Sequence, residues 1–157
     1  MSNTHLDTDD FLVAVRTILI GSELLPELED ANVVQWHHGE TDPDEDIKTA
    51  IAKCGGVSVL IYDEGGDEDS PDADLIEAVA YVELYVDTTK RNRRKNTSLR
   101  LGGQIRDEIM RLLHRHADLR NTAAFADTRC RGYRTLADPE FAAWRITLTR
   151  KIYLSLE

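Results

Sequence analysis

Apolar and polar residues alternate most regularly over Leu75–Asp87, LIEAVAYVELYVD, and this stretch organises the chain. Ala80, Val82, Leu84 and Val86 fall on one face, and Val79, Tyr81, Glu83, Tyr85 and Asp87 on the other. That is the period of two of a half-buried strand. At roughly 3.3 Å per residue it extends about 40 Å, longer than a small core needs, so it has length to reach another subunit. Upstream, Phe11, Leu12, Val15, Ile18 and Leu19 recur at helical spacing, with Asp9 or Asp10 placed to cap the helix and Gly21 to end it. Asn32 leads into a brief strand, Val33–Trp36. A second helix is signalled by a cap at Thr41 or Asp42, Pro43 in the first turn, the acids Asp44, Glu45 and Asp46, and Gly55–Gly56 as terminator. Its buried stripe is Ile47, Ala50, Ile51 and Cys54.

Val57–Tyr62 is apolar on nearly both faces, which predicts a strand interior to the sheet and paired with Leu75–Asp87. Between them lies DEGGDEDSPDAD, residues 63–74. Its acids Asp63, Glu64, Asp67, Glu68, Asp69, Asp72 and Asp74, with two glycines and a proline, read as a projecting mobile loop. A third helix opens at Thr97 or Ser98 and carries Leu101, Ile105, Ile109, Leu112 and Leu113 on its buried side. Gly102–Gly103 near its start reads as close packing or a delayed helix start, since no GxxxxGK[ST] phosphate loop surrounds it. Asp118–Thr128 connects, with a helical turn at 123–126. A hairpin closes the chain: Arg129–Thr135, a turn through Ala137–Glu140, then Phe141–Leu156. Arg150 alone breaks the apolar face of that last strand. It predicts a bulge, or the point where the strand leaves the core, because an unpaired buried guanidinium is very costly. The expected fold is α+β: one domain, 1–157, with a single mixed, mostly antiparallel sheet of four to five strands against two to three helices.

Composition narrows the function classes. The chain has 157 residues, enough for one core, and is 41% hydrophobic and 31% charged with a formal charge of -10. An acidic surface argues against sequence-independent phosphate binding, and no sequence-specific nucleic-acid motif is present. The N-terminus carries no secretion signal, and no apolar run reaches membrane-spanning length, so neither export by that route nor a membrane is expected. Cys54 and Cys130 lack CxxC spacing and fit two reduced thiols of a cytoplasm. His37, His38 and Glu40 lack a third spaced ligand, and His114 and His116 at i,i+2 do not face each other on a helix, so no metal and no cofactor is expected. Glu77 and Glu83 are the available paired carboxylates, but no nucleophile, base or metal set accompanies them, and no enzyme is expected. Lys90–Lys95, KRNRRK, is the one concentrated basic run; it is either a contact for phosphate or an acidic surface, the chain's own acidic loop included, or a solvated loop.

Four segments taken together, VSVLIYDEG (57–65), EAVAYVELYV (77–86), SLRLGGQIRDEIMRLL (98–113) and RGYRTLADPEFAAWRITLTRKIYL (131–154), resemble the tail terminator and tail-completion proteins of long-tailed bacteriophages, the lambda-type minor tail protein among them. The likeness is one of element order and hydrophobic placement, and the segment 36–51 departs from it. The resemblance implies a structural virion protein, made in the host bacterial cytoplasm, that sits as a ring of six copies on the head-proximal end of the tail tube. There it would stop tube polymerisation and offer a head-joining surface, with further copies of itself, the tube protein and the head connector as partners. The assembly surface expected for that role comprises Tyr81 and Tyr85 on the second face of the central strand with Lys90, Arg91, Arg93, Arg94 and Lys95. The acidic loop 63–74 would face the lumen or a partner. The alternatives are a neck or head-completion protein and, from another class, an acidic DNA mimic that inhibits a host enzyme.

Overall fold

In the computed structural model, residues 8–36, 42–68, 75–89, 100–115 and 128–153 are described. Their elements run α1 (Thr8–Gly21), β1 (Val33–Gln35), α2 (Asp44–Lys53), β2 (Val57–Glu68), β3 (Leu75–Val86), α3 (Gly102–Arg115), β4 (Arg129–Leu136) and β5 (Ala142–Tyr153). The strands form one mixed five-stranded sheet in the order β1-β2-β3-β5-β4, so the fold is α+β. β1 runs parallel to β2, and the other neighbours are antiparallel. The central strand of the sequence pattern is the central strand of the sheet.

Alternation along the strands divides the helices between the two faces. Val57, Val59 and Ile61 of β2, Ala80, Val82, Leu84 and Val86 of β3, and Ile146 and Leu148 of β5 pack against Phe11, Leu12, Val15 and Leu19 of α1 and Ile105, Ile109 and Leu113 of α3. The intervening Leu60 faces the other way and meets Ile47 and Ile51 of α2, with Trp36, Tyr62, Tyr85 and Phe141 around them. The main core therefore lies under α1 and α3. α2 covers only a corner of the opposite face.

Polar side chains fix how the 22–32 connection sits. Asn32 is fully buried; its amide donates to the carbonyls of Glu27 (2.8 Å) and Val57 (3.1 Å), and its Oδ1 accepts from the Glu29 N–H at 2.8 Å. Every polar atom of that side chain is thus matched, as burial requires. Arg16 holds the carbonyls of Val33 and Asp30 and the Asp30 carboxylate. Arg100 forks onto both oxygens of Glu27, a bidentate pair that ties the chain just before α3 to the same connection.

Several expectations are corrected. Residues 63–68 are not loop: β2 continues through them, paired to Ile76–Ala80 of β3 with a bulge between Asp63 and Gly65, because the long partner strand supplies a ladder that outweighs the poor strand preference of Gly and Asp. Residues 69–74 lie outside the described residues. Asp9 and Asp10 fall inside α1, which starts at Thr8, and do not cap it. At α2 the residue before the helix is Pro43, and the side chain of Asp42 accepts from the Asp44 N–H at 3.0 Å; Thr41 is outside the described residues. α3 starts at Gly102, so Leu101 precedes it and is 38% exposed. The late start has a packing reason. A Cβ on Gly102 would lie 2.7 Å from the Trp144 ring, a distance that would force the ring or the helix to move. Arg150 neither bulges β5 against β3, where its register with Ala78 is unbroken, nor leaves the core: it is 3% exposed, with its guanidinium 4.5 Å from the centre of the Phe11 ring. β5 is described to Tyr153. The helical turn at 123–126, Thr97, Ser98 and the residues after 153 lie outside the described residues.

Candidate functional site

The face of the sheet away from α1 and α3 carries the polar side chains of β2, β3 and β5. Register sets Tyr62 opposite Tyr81, Leu60 opposite Glu83, and Glu83 opposite Arg145. Glu83 is 4% exposed. Three donors converge on its carboxylate: the Tyr62 hydroxyl at 2.5 Å and Arg145 Nε at 2.8 Å on one oxygen, and the Tyr85 hydroxyl at 2.5 Å on the other. The guanidinium of Arg145 lies 4.5 Å over the Tyr81 ring. That ring meets Tyr62 edge-on, with centroids 5.5 Å apart, and Tyr62 meets Trp36 in the same way at 5.8 Å. A buried carboxylate is tolerated when charge-assisted hydrogen bonds saturate it, and here they do.

Burial, together with the hydrogen bond to the Glu83 carboxylate, holds the phenols of Tyr62 and Tyr85 protonated far above the ordinary tyrosine range. Folding therefore favours the protonated phenols. The stability this adds is fully present below the unfolded tyrosine pKa of about 10 and declines as pH rises past it. Urea denaturation between pH 8 and 12 is expected to show stability falling above about pH 10, with a steeper fall than in Tyr62→Phe/Tyr85→Phe. Equal slopes in the two proteins would remove these phenols from the linkage.

The structure separates the residues expected at an assembly surface. Tyr85 packs beside Phe141 in the cluster under α2 and donates to Glu83. Tyr81 lies farther along β3, half-buried beneath Arg145. Asp63 and Glu64 are in β2, Glu64 exposed, and Asp67 and Glu68 continue the strand; Asp69, Asp72 and Asp74 are outside the described residues, as are Lys90, Arg91, Arg93, Arg94 and Lys95. His37, His38, Glu40 and His116 are also outside them. Among the described residues no group of His, Cys, Asp and Glu is arranged to hold a metal ion, and no helix is long and apolar enough to cross a membrane. Cys54 and Cys130 are both free thiols.

One surface escaped the sequence reading. β4 is the edge of the sheet and bears Arg129, Arg131 and Arg134, all exposed, with Tyr133 at 46% exposure between them. Tyr133 packs on the other side of the sheet, under the Arg106 guanidinium of α3 at 4.0 Å. The signal was present in the sequence as RCRGYR, but only the pairing of β4 with β5 alone makes it an edge. A scan against protein-family models finds no match for the chain, and neither does a search of curated proteins.

Proposed function

We propose that the chain is a structural component of a phage tail, assembling head to tail into a ring that caps the head-proximal end of the tail tube. The ring would end tube polymerisation and present the head-joining surface. The observation that carries this reading is the unlikeness of the two sides of the sheet. Among the described residues one edge of the sheet is β4, lined with Arg129, Arg131 and Arg134, and the other is β1, a strand of three residues that carries no charge. A closed ring needs a heterologous contact, two different surfaces on each copy, and a sheet with two unlike edges supplies them. Three strands of 12 residues each give those edges a rigid support. The element order that resembles tail terminators supports the same conclusion.

Electron microscopy of the purified protein mixed with tail tubes tests it. Rings on one end of the tubes, with tube growth halted there, are the expected result. Tubes that stay bare and keep growing would overturn the function, and rings found only on the portal side of filled heads would move the chain to the neck.

A further inference from the structure

The far end of the polar face gathers positive charge around a recess. Register sets Glu77 of β3 opposite Lys151 of β5, and Arg129 of β4 opposite Thr149 of β5, while alternation along β5 puts Thr149 and Lys151 on one face. The β4 bulge adds a fifth side chain. Arg131 is its extra residue, Gly132 takes φ 114° beside it, and the Arg131 Nε reaches back to donate to the Thr149 hydroxyl at 2.9 Å. With Arg150, whose guanidinium lies against the Phe11 ring, these five residues line a cleft of about 160 Å³.

The lining chemistry is one-sided. Lys151 and Glu77 face each other as one cation and one carboxylate, so Arg129 and Arg131 are the excess charge. Among the described residues neither guanidinium is ion-paired, although Arg16, Arg100, Arg106, Arg111 and Arg145 each hold a carboxylate and the chain offers 29 Asp and Glu against 19 Lys and Arg. Thr149 is 6% exposed; its hydroxyl accepts from Arg131, and among the described residues no acceptor takes its proton. A buried hydroxyl with an unplaced proton, beside two unmatched guanidiniums, is complementary to an acceptor that brings negative charge.

We propose that this cleft binds a small tetrahedral oxyanion of the phosphate class, held between Arg129 and Arg131 with the Thr149 hydroxyl donating to it. Size and charge select the occupant. A recess of about 160 Å³ takes an ion and not a folded partner, and an excess of two guanidiniums matches a dianion better than a single carboxylate. A polyanion such as duplex DNA is repelled by the rest of a chain whose formal charge is -10. The site is independent of any tail role. Bound there, the anion bridges β4 to β5 and stabilises the fold by mass action.

Isothermal titration calorimetry with sodium phosphate, at neutral pH and constant ionic strength, tests this. The natural chain is expected to show one saturable site, with acetate at least about tenfold weaker, and a melting temperature that rises with phosphate. R129Q/R131Q is expected to bind phosphate at least about tenfold more weakly and to melt at a temperature phosphate no longer changes. Arg134→Gln removes an exposed arginine of the same strand that does not line the cleft, and is expected to bind as the natural chain does. If the double variant fails to fold, Arg129→Gln, at an exposed position, and Thr149→Val, of similar volume, are each expected to weaken phosphate binding while Arg134→Gln does not. No saturable binding by the natural chain overturns the site, as does an equal loss in Arg134→Gln, which would mean a diffuse field. Acetate bound as tightly as phosphate would make the cleft a carboxylate pocket and overturn the phosphate class. Duplex DNA bound more tightly than phosphate, and lost in R129Q/R131Q, would assign the arginines to a nucleic-acid backbone and overturn the small ion.

Discussion

Leu84→Asp and Ile109→Asp are each expected to abolish folding. Leu84 is fully buried in the middle of β3, opposite Val59 on one side and Trp144 on the other. Ile109 is fully buried at the middle of α3, in the same core. Each substitution forfeits about 1.5–3 kcal/mol of apolar burial and places a carboxylate among the apolar side chains of that core, an addition of several kcal/mol. Against a total stability of about 5–15 kcal/mol, the sum removes most or all of it. Circular dichroism and urea titration would read the loss directly. Leu101→Asp is the control: Leu101 precedes α3 and is partly exposed, so its variant is expected to unfold cooperatively near the natural midpoint. A Leu84→Asp or Ile109→Asp chain that stays soluble and melts cooperatively would take that residue out of the core.

These two positions were legible because their burial follows from local periodicity, period two around Leu84 and a helical stripe through Ile105, Ile109 and Leu113. The misses share the opposite cause. Residues 63–68 read as loop because Gly65, Gly66 and the acids disfavour a strand, yet a 12-residue partner imposes one on them. Arg150 read as a bulge, or as the point where the strand leaves the core, because an unpaired buried cation is very costly; the Phe11 ring it lies against comes from α1, far away in sequence. Leu101 read as core because the helical pattern was extended back through two glycines. Gly102 in fact marks the helix start, kept small by the Trp144 ring from the other end of the chain.

The polar face illustrates the same limit. Alternation alone put Tyr81, Glu83 and Tyr85 together on the second face of β3, and their chemistry read as a surface for a partner. What the alternation of one strand leaves open is the identity of the strands beside it. Tyr62 and Arg145 reach Glu83 from β2 and β5, 21 and 62 residues away in sequence, and only the sheet order brings them there. Tyr62 and Tyr85 turn to the Glu83 carboxylate, and the arginines of β4 went unremarked in the sequence because a charged edge strand looks like any solvated strand.

Replacing Glu83 by Leu is expected to destabilise the fold by about 3 kcal/mol, the low end of the cost of breaking a buried pair. The low end applies because the two partners are unequally buried: the side chain of Glu83 is 5% exposed and that of Arg145 is 28% exposed, so the guanidinium left behind can regain water. The hydroxyls of Tyr62 and Tyr85 lose a charged acceptor at the same time, and their losses do not simply add to the first. Were the cluster a stability device alone, removing its polar atoms together would repair the damage. The chain carrying Glu83→Leu, Tyr62→Phe, Tyr85→Phe and Arg145→Met is therefore expected to recover most of the loss, since apolar groups of similar size can replace a buried ion pair at little cost. Urea midpoints of the single and quadruple variants decide it. A single variant within about 0.5 kcal/mol of the natural chain would mean that Glu83 is not held by these three donors, and a quadruple variant no more stable than the single would mean that the network fixes the packing of β2, β3 and β5 in a way apolar side chains cannot replace.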